Sequence, residues 1–206
     1  MLTVVNKMET INKAHEIMIL LLKDFNSHTA TSLSKKLEMS RWGMWKILKR
    51  LEKEHLIILK RVGSGKTSTQ TIGLNWGNVL TEKNLALALT QEALRYKRWR
   101  FNFEKLEKYA DFLIVFGSVL HSPEEANDVD VLVVAEKKNL SSIGDLIDEI
   151  QVSMEKNVHS INFTKSEFKK ELKKGNKAYM DAVKKGVILF GQENFIKFIK
   201  GMQYGS

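Results

Sequence analysis

The sequence predicts an α+β protein of two domains, residues 11–76 and 103–206, joined by a helical linker over 77–102. Three observations predict it. Helical periodicity in the first 53 residues gives way to two β-branched runs around a glycine-rich tip. Further on, Phe112–Phe116 and Asp128–Val134 read as strands, one continuously apolar and the other alternating at its start. The charge also divides. Residues 1–100 hold 18 Lys and Arg against 8 Asp and Glu, whereas residues 101–206 hold 15 against 16, so the halves carry +10 and −1.

A chain of 206 residues with 43% hydrophobic content and one proline has material for two small cores. It contains no cysteine, which excludes a disulfide framework and a cysteine metal site. Met1 to Glu9 lacks the layout of a signal peptide. The longest apolar run, Ile17 to Leu22, is six residues, far short of the roughly 20 that span a bilayer. A soluble, cytoplasmic protein without a membrane partner is the expectation. The basic first half suggests a polyanion, because lysine and arginine neutralise phosphates and release condensed counterions; a solvated basic surface is the alternative.

In Ile11 to Phe25, Ile17, Leu20, Leu21 and Phe25 recur at helical spacing and predict a first amphipathic helix. Thr31 to Leu37 forms a second, with Leu33 and Leu37 inward. Glu38-Met39 reads as a tight turn. Ser40 then caps a third helix to about Lys53, its hydroxyl accepting from first-turn amides. Met44, Ile47, Leu48 and Leu51 share the core side of that helix, leaving Trp42, Trp45, Lys46, Lys49 and Lys53 on a basic, aromatic outer face. Leu56–Arg61 and Thr69–Leu74 predict a hairpin around Gly63-Ser64-Gly65-Lys66.

Residues 40–57, Ser-Arg-Trp-Gly-Met-Trp-Lys-Ile-Leu-Lys-Arg-Leu-Glu-Lys-Glu-His-Leu-Ile, resemble the recognition helix and first wing strand of a winged helix-turn-helix DNA-binding domain. The resemblance covers residues 11–75. It implies a major-groove helix, with Arg41, Trp42, Lys46 and Lys49 at the DNA and Lys66 on flanking phosphate. Gly63-Ser64-Gly65-Lys66-Thr67 ends like a phosphate-binding loop, but the first glycine of that motif would fall at Lys60, and the segment lies between strands rather than before a helix.

Val79 to Tyr109 is helical in composition. Leu80, Leu87 and Leu94 are seven apart and offer a homodimer contact. The basic stretch Arg95-Tyr96-Lys97-Arg98-Trp99-Arg100 extends the DNA surface, forms a nucleic-acid entry to the second domain, or is simply solvated.

Phe112–Phe116 ends in Gly117-Ser118, followed by Val119-Leu120, which can open a helix. Glycine lets a phosphate approach the backbone, and the Ser118 hydroxyl with nearby amides can donate to it. After nine residues comes Asp128-Val129-Asp130. Alternation on a strand puts both carboxylates on one face. A hard divalent cation relieves their repulsion while bridging nucleotide phosphates.

Together these motifs resemble the minimal nucleotidyltransferase domains of the DNA polymerase β superfamily, over about residues 103–195, closing with Gly186-Val-Ile-Leu-Phe-Gly191. The resemblance implies a mixed sheet flanked by helices. It places Gly117 and Ser118 at a nucleoside triphosphate and makes Asp128 and Asp130 catalytic ligands of two Mg2+ ions. The departure is a third carboxylate on a later strand. Val158–Phe163, reading Val-His-Ser-Ile-Asn-Phe, has no acid; His159 is either a base or structural, and Glu167 lies beyond the strand. Two functions follow from the resemblances. One is a DNA-binding transcription regulator that binds Mg-nucleotide, with or without transfer of a nucleoside monophosphate. The other is an active nucleotidyltransferase that modifies a protein, RNA or small molecule, with the winged helix as targeting module.

Overall fold

The alternation of helical and strand patterns gives a mixed α+β structure. A computed structural model describes residues 2–63 and 69–203, with side chains from Lys13 onward. The chain divides into two compact units, Met1–Ala88 and Leu89–Ser206. Among the described residues no helix is long and apolar enough to cross a membrane.

In the first unit, α1 (Leu2–Lys23), α2 (Ala30–Lys36) and α3 (Arg41–Lys53) pack against an antiparallel hairpin of β1 (Ile57–Val62) and β2 (Thr69–Leu74). α1 begins earlier than its apolar periodicity indicates. Its buried side chains include Ile17, Met18, Leu21 and Leu22, while Leu20 is half-buried and Phe25 lies beyond the helix. At the α1–α2 corner, buried His28 and the Lys36 ammonium both approach the Asp24 carboxylate. The His28 carbonyl accepts from Ile72 N–H at 2.8 Å, which ties the corner to β2.

α2 is fixed by a capping box in which Thr29 and Ser32 satisfy each other's free amides. Glu38 then takes a left-handed conformation, φ 51°, that turns the chain into α3. Ser40 Oγ accepts from Gly43 N–H at 3.0 Å and fixes the α3 start. Met44, Ile47, Leu48 and Leu51 are buried, as their spacing requires.

α4 (Val79–Ala93) runs across the boundary between the units at Ala88 and Leu89. Thr81 Oγ1 at its start donates to the Asn75 carbonyl at 2.8 Å. Leu80, Leu87 and Leu94 are exposed.

The second unit holds a four-stranded mixed sheet in the order β5-β4-β3-β6, from β3 (Ala110–Phe116), β4 (Asp128–Ala135), β5 (Asn157–Phe163) and β6 (Val187–Phe190). β3 is antiparallel to β4 and β6; β4 is parallel to β5. One face packs Val131, Val133 and Val115 with Trp99 and Phe103 and with Ile143, Ile147 and Ile150 of α6 (Leu140–Val152). Trp99 and Phe103 come from α5 (Lys97–Asn102) and its C-cap.

The other face carries an aromatic cluster. Phe112 of β3 meets Phe168 of α7 (Lys165–Lys173), and Phe195 and Phe198 of α9 (Gln192–Gln203), at ring separations of 5.4–6.3 Å. Tyr179 of α8 (Lys177–Lys185) packs edge-on against Phe163 at 5.1 Å. Such ring pairs are each worth about 0.5–1.5 kcal/mol beyond their buried area. They anchor three helices over one end of this face and leave its other end open for polar side chains.

Candidate functional site

Strand register determines what occupies that open end. Phe116 pairs with Asp130, and Asp130 with His159. Paired residues share a face, as do alternate residues along a strand. Asp128, Asp130 and His159 therefore lie on the face of the aromatic cluster, at the end of the sheet opposite to it. Val129 between the acids is fully buried, while the Asp128, Asp130 and His159 side chains are 40%, 34% and 60% exposed. His159 Nε2 is 3.9 Å from Asp128 Oδ1 and Nδ1 is 3.6 Å from Asp130 Oδ1.

Gly117 ends β3 with φ 86°, in the region that favours glycine. A Cβ added there would overlap the Asp130 carboxylate and stand 3.3 Å from its Cγ. The missing side chain thus leaves space in which the Asp130 carboxylate sits next to the turn. Ser118 is exposed beside it. The helix expected after this turn is a single 3-10 turn, Ser118–Leu120, closed by His121 and Ser122 amides donating to the Ser118 carbonyl. Val119 is buried in the sheet core and holds the turn down. A helix macrodipole is therefore not available here. The Gly117–Ser118 segment itself must supply any phosphate contact.

Among the described residues, no three or more His, Asp or Glu side chains are grouped to hold a metal ion. Two carboxylates nonetheless suit magnesium, which takes one or two protein carboxylates and completes its octahedron with water and phosphate oxygens. Asp128 and Asp130 meet that requirement in number, donor chemistry and exposure.

Glu167 is excluded from the site. It caps α7, where Thr164 N–H donates to Glu167 Oε2 at 2.8 Å and Thr164 Oγ1 donates at 2.7 Å. The backbone amide first, then the hydroxyl, holds the Glu167 carboxyl below its ordinary value. Thr164-Lys-Ser-Glu167 has capping-box spacing, so this role has a signal in the sequence.

The basic stretch 95–100 is also reassigned in part. Trp99 belongs to the sheet core, and the Arg100 guanidinium donates to the Leu189 carbonyl at 2.8 Å and lies 3.6 Å from Glu107. These are structural positions. Arg98 stacks on Trp99, 5.2 Å from its ring centre.

In the first unit, Arg41, Trp42, Trp45, Lys46, Lys49 and Lys53 all lie on the exposed face of α3. Trp42 is 74% exposed, with the Lys46 ammonium 5.3 Å from its ring centre. Lys49 differs. Its ammonium lies 5.0 Å from the Trp45 ring and 2.8 Å from Glu52 Oε2, so an acidic partner already holds it. Lys66 lies outside the described residues.

No protein-family model, curated protein or solved structure matches the chain.

Proposed function

We propose that the second unit binds a magnesium-nucleotide at the Asp128–Asp130 end of its sheet, and that the first unit binds DNA through α3 and the hairpin. The protein would then regulate transcription in response to a nucleotide. The observation that carries the reading is the fit of Asp130 against Gly117, where a carboxylate fills the place of a missing side chain beside an exposed serine.

In this reading Asp128 and Asp130 hold magnesium with hard oxygen donors. Magnesium bound there would neutralise and polarise the phosphates. Gly117 lets a phosphate approach the backbone, and the Ser118 hydroxyl donates to it. DNA binding is supported by the paired Trp42 and Lys46 on an exposed helix face and by the net charge of +10 in residues 1–100. A basic face attracts phosphates, and an exposed ring gives sugar or base contact.

A second reading, transfer of the nucleotide to an acceptor, is favoured by His159. Its imidazole lies within 4 Å of both carboxylates and could take a proton from an attacking hydroxyl. The test of both readings is incubation with labelled nucleoside triphosphates and magnesium, with and without acceptor nucleic acid. Asp130→Asn should abolish binding. Transfer lost in the same variant establishes the enzyme, and the absence of any magnesium-dependent binding by the parent chain would refute the nucleotide reading.

A further inference from the structure

Phe101 stands three residues from Arg98 and four from Lys97, so the three share one side of α5. Phe101 is 71% exposed, and Lys97 and Arg98 are exposed with it. The ring adds nothing to the core, which Trp99 and Phe103 enter from the same helix and its C-cap. A single exposed ring needs no explanation by itself. The surroundings of this one do need one.

Beside the ring lies a cavity of about 220 Å3, lined by Phe101, Asn102 and Lys105 and, from α6 and its C-cap, by Glu149 and Ser153. It is smaller than the roughly 300–1,000 Å3 that holds a drug-sized ligand. The space therefore suits one ring rather than a whole cofactor. Its lining offers both kinds of hydrogen-bonding group. The Asn102 amide donates and accepts, and Ser153 Oγ, which donates to the Ile150 carbonyl at 2.8 Å, keeps its lone pairs for another donor.

Charge singles out the same segment. Residues 95–108 hold six Lys and Arg against two Asp and Glu, whereas residues 109–206 hold 13 against 14. Within it Lys105 is held by Glu149 at 2.6 Å, and Arg100 by the Leu189 carbonyl and Glu107. Lys97 and Arg98 are the cations left beside the ring. Arg98 lies over Trp99, which steadies the guanidinium without neutralising it.

We propose that this side of α5 binds single-stranded nucleic acid. One base stacks on Phe101 with its edge at the cavity, and Lys97 and Arg98 take the flanking phosphates. Binding of unpaired strands combines cations along the backbone with rings that accept any base face. A duplex keeps its bases stacked on one another, so it gives such a ring nothing to hold. The inference does not rest on the nucleotide reading of Asp128 and Asp130.

Fluorescence anisotropy of the full chain with a labelled oligothymidylate, single-stranded or annealed to its complement, tests the proposal. Phe101→Ala should bind the single strand on the order of tenfold more weakly, the loss of one stacked base, and bind the duplex as the parent does. Phe101→Trp should keep the parental affinity. Lys97→Ala with Arg98→Ala should lower the slope of log affinity against log salt by about 1.4, at about 0.7 per phosphate. Lys173→Ala with Lys177→Ala, two exposed lysines of α7 and α8, should leave that slope unchanged. Equal losses in the two double variants would reduce the effect to net charge and overturn the proposal. An unchanged Phe101→Ala, or one equally weakened on single strand and duplex, would overturn it too. A parent that sediments as a dimer and a Phe101→Ala that sediments as a monomer, with single-strand binding intact, would assign the ring to a second copy of this chain instead. Matched thermal melts confirm that the variants fold.

Discussion

His159 and Asp130 are register partners on neighbouring parallel strands, with imidazole Nδ1 3.6 Å from Asp130 Oδ1. An imidazole thus faces both acids from the strand where the nucleotidyltransferase resemblance calls for a third carboxylate. His159→Asp would put a hard oxygen donor in its place, and affinity for hard cations rises with the number of charged ligands. Magnesium should bind this variant on the order of tenfold more tightly by calorimetry. Equal or weaker binding would mean that His159 does not point where a metal ligand is needed.

Gly117→Ala should damage the fold and the site together. The backbone at φ 86° is strained for alanine, and the new methyl would push the Asp130 carboxylate away. Strain of this kind costs about 1–3 kcal/mol, readable as a lower urea midpoint. Magnesium-nucleotide binding should fall in the same variant even at low temperature, where it remains folded. A variant that keeps both parental stability and parental binding would contradict the role given to this glycine.

The Thr164–Glu167 box makes a prediction about pH. Hydrogen bonds from Thr164 depress the folded-state pKa of Glu167. A depressed carboxyl stabilises the fold above its unfolded value, and that contribution is lost as pH falls through the lower, folded value. Urea midpoints of the parent and Glu167→Gln should differ at neutral pH and converge under acid conditions. Thr164→Ala, which removes the cap itself, should cost about 1 kcal/mol. If the parent and Glu167→Gln stay equally far apart at low pH, the carboxylate is not the source of the difference.

Local signals made much of this molecule legible. The Ser40 cap, the Met44-Ile47-Leu48-Leu51 stripe and the β-branched runs around Gly63 each encode their own conformation, and α3 and the hairpin form where those signals lie. The Asp128–Asp130 alternation is likewise local, since it needs only that β4 be a strand. What faces the acids is a matter of register between strands far apart in sequence. No local pattern says that His159 will pair with Asp130. Composition was a poor guide at 95–100, because Trp99 and Arg100 read as surface charge with an aromatic but are drawn into the sheet core and the Leu189 carbonyl. α1 starts at Leu2, well ahead of the Ile17-Leu20-Leu21 periodicity that marks it in the sequence.

The α3 face separates two lysines that look equivalent in sequence. Lys46 stacks near Trp42, whereas Lys49 is held by Glu52 at 2.8 Å and must leave that carboxylate to reach a phosphate. In a gel shift with duplex DNA, Lys46→Ala should weaken binding and reduce the slope of log affinity against log salt by about 1. Lys49→Ala should do less, because its charge is already partly compensated, and Glu52→Gln should tighten binding by releasing it. Trp42→Ala should weaken binding with little change in stability, because the ring is 74% exposed. If Lys46→Ala and Trp42→Ala leave the shift and its salt dependence intact, α3 is not the DNA-contacting helix, and the basic charge of this unit serves another partner.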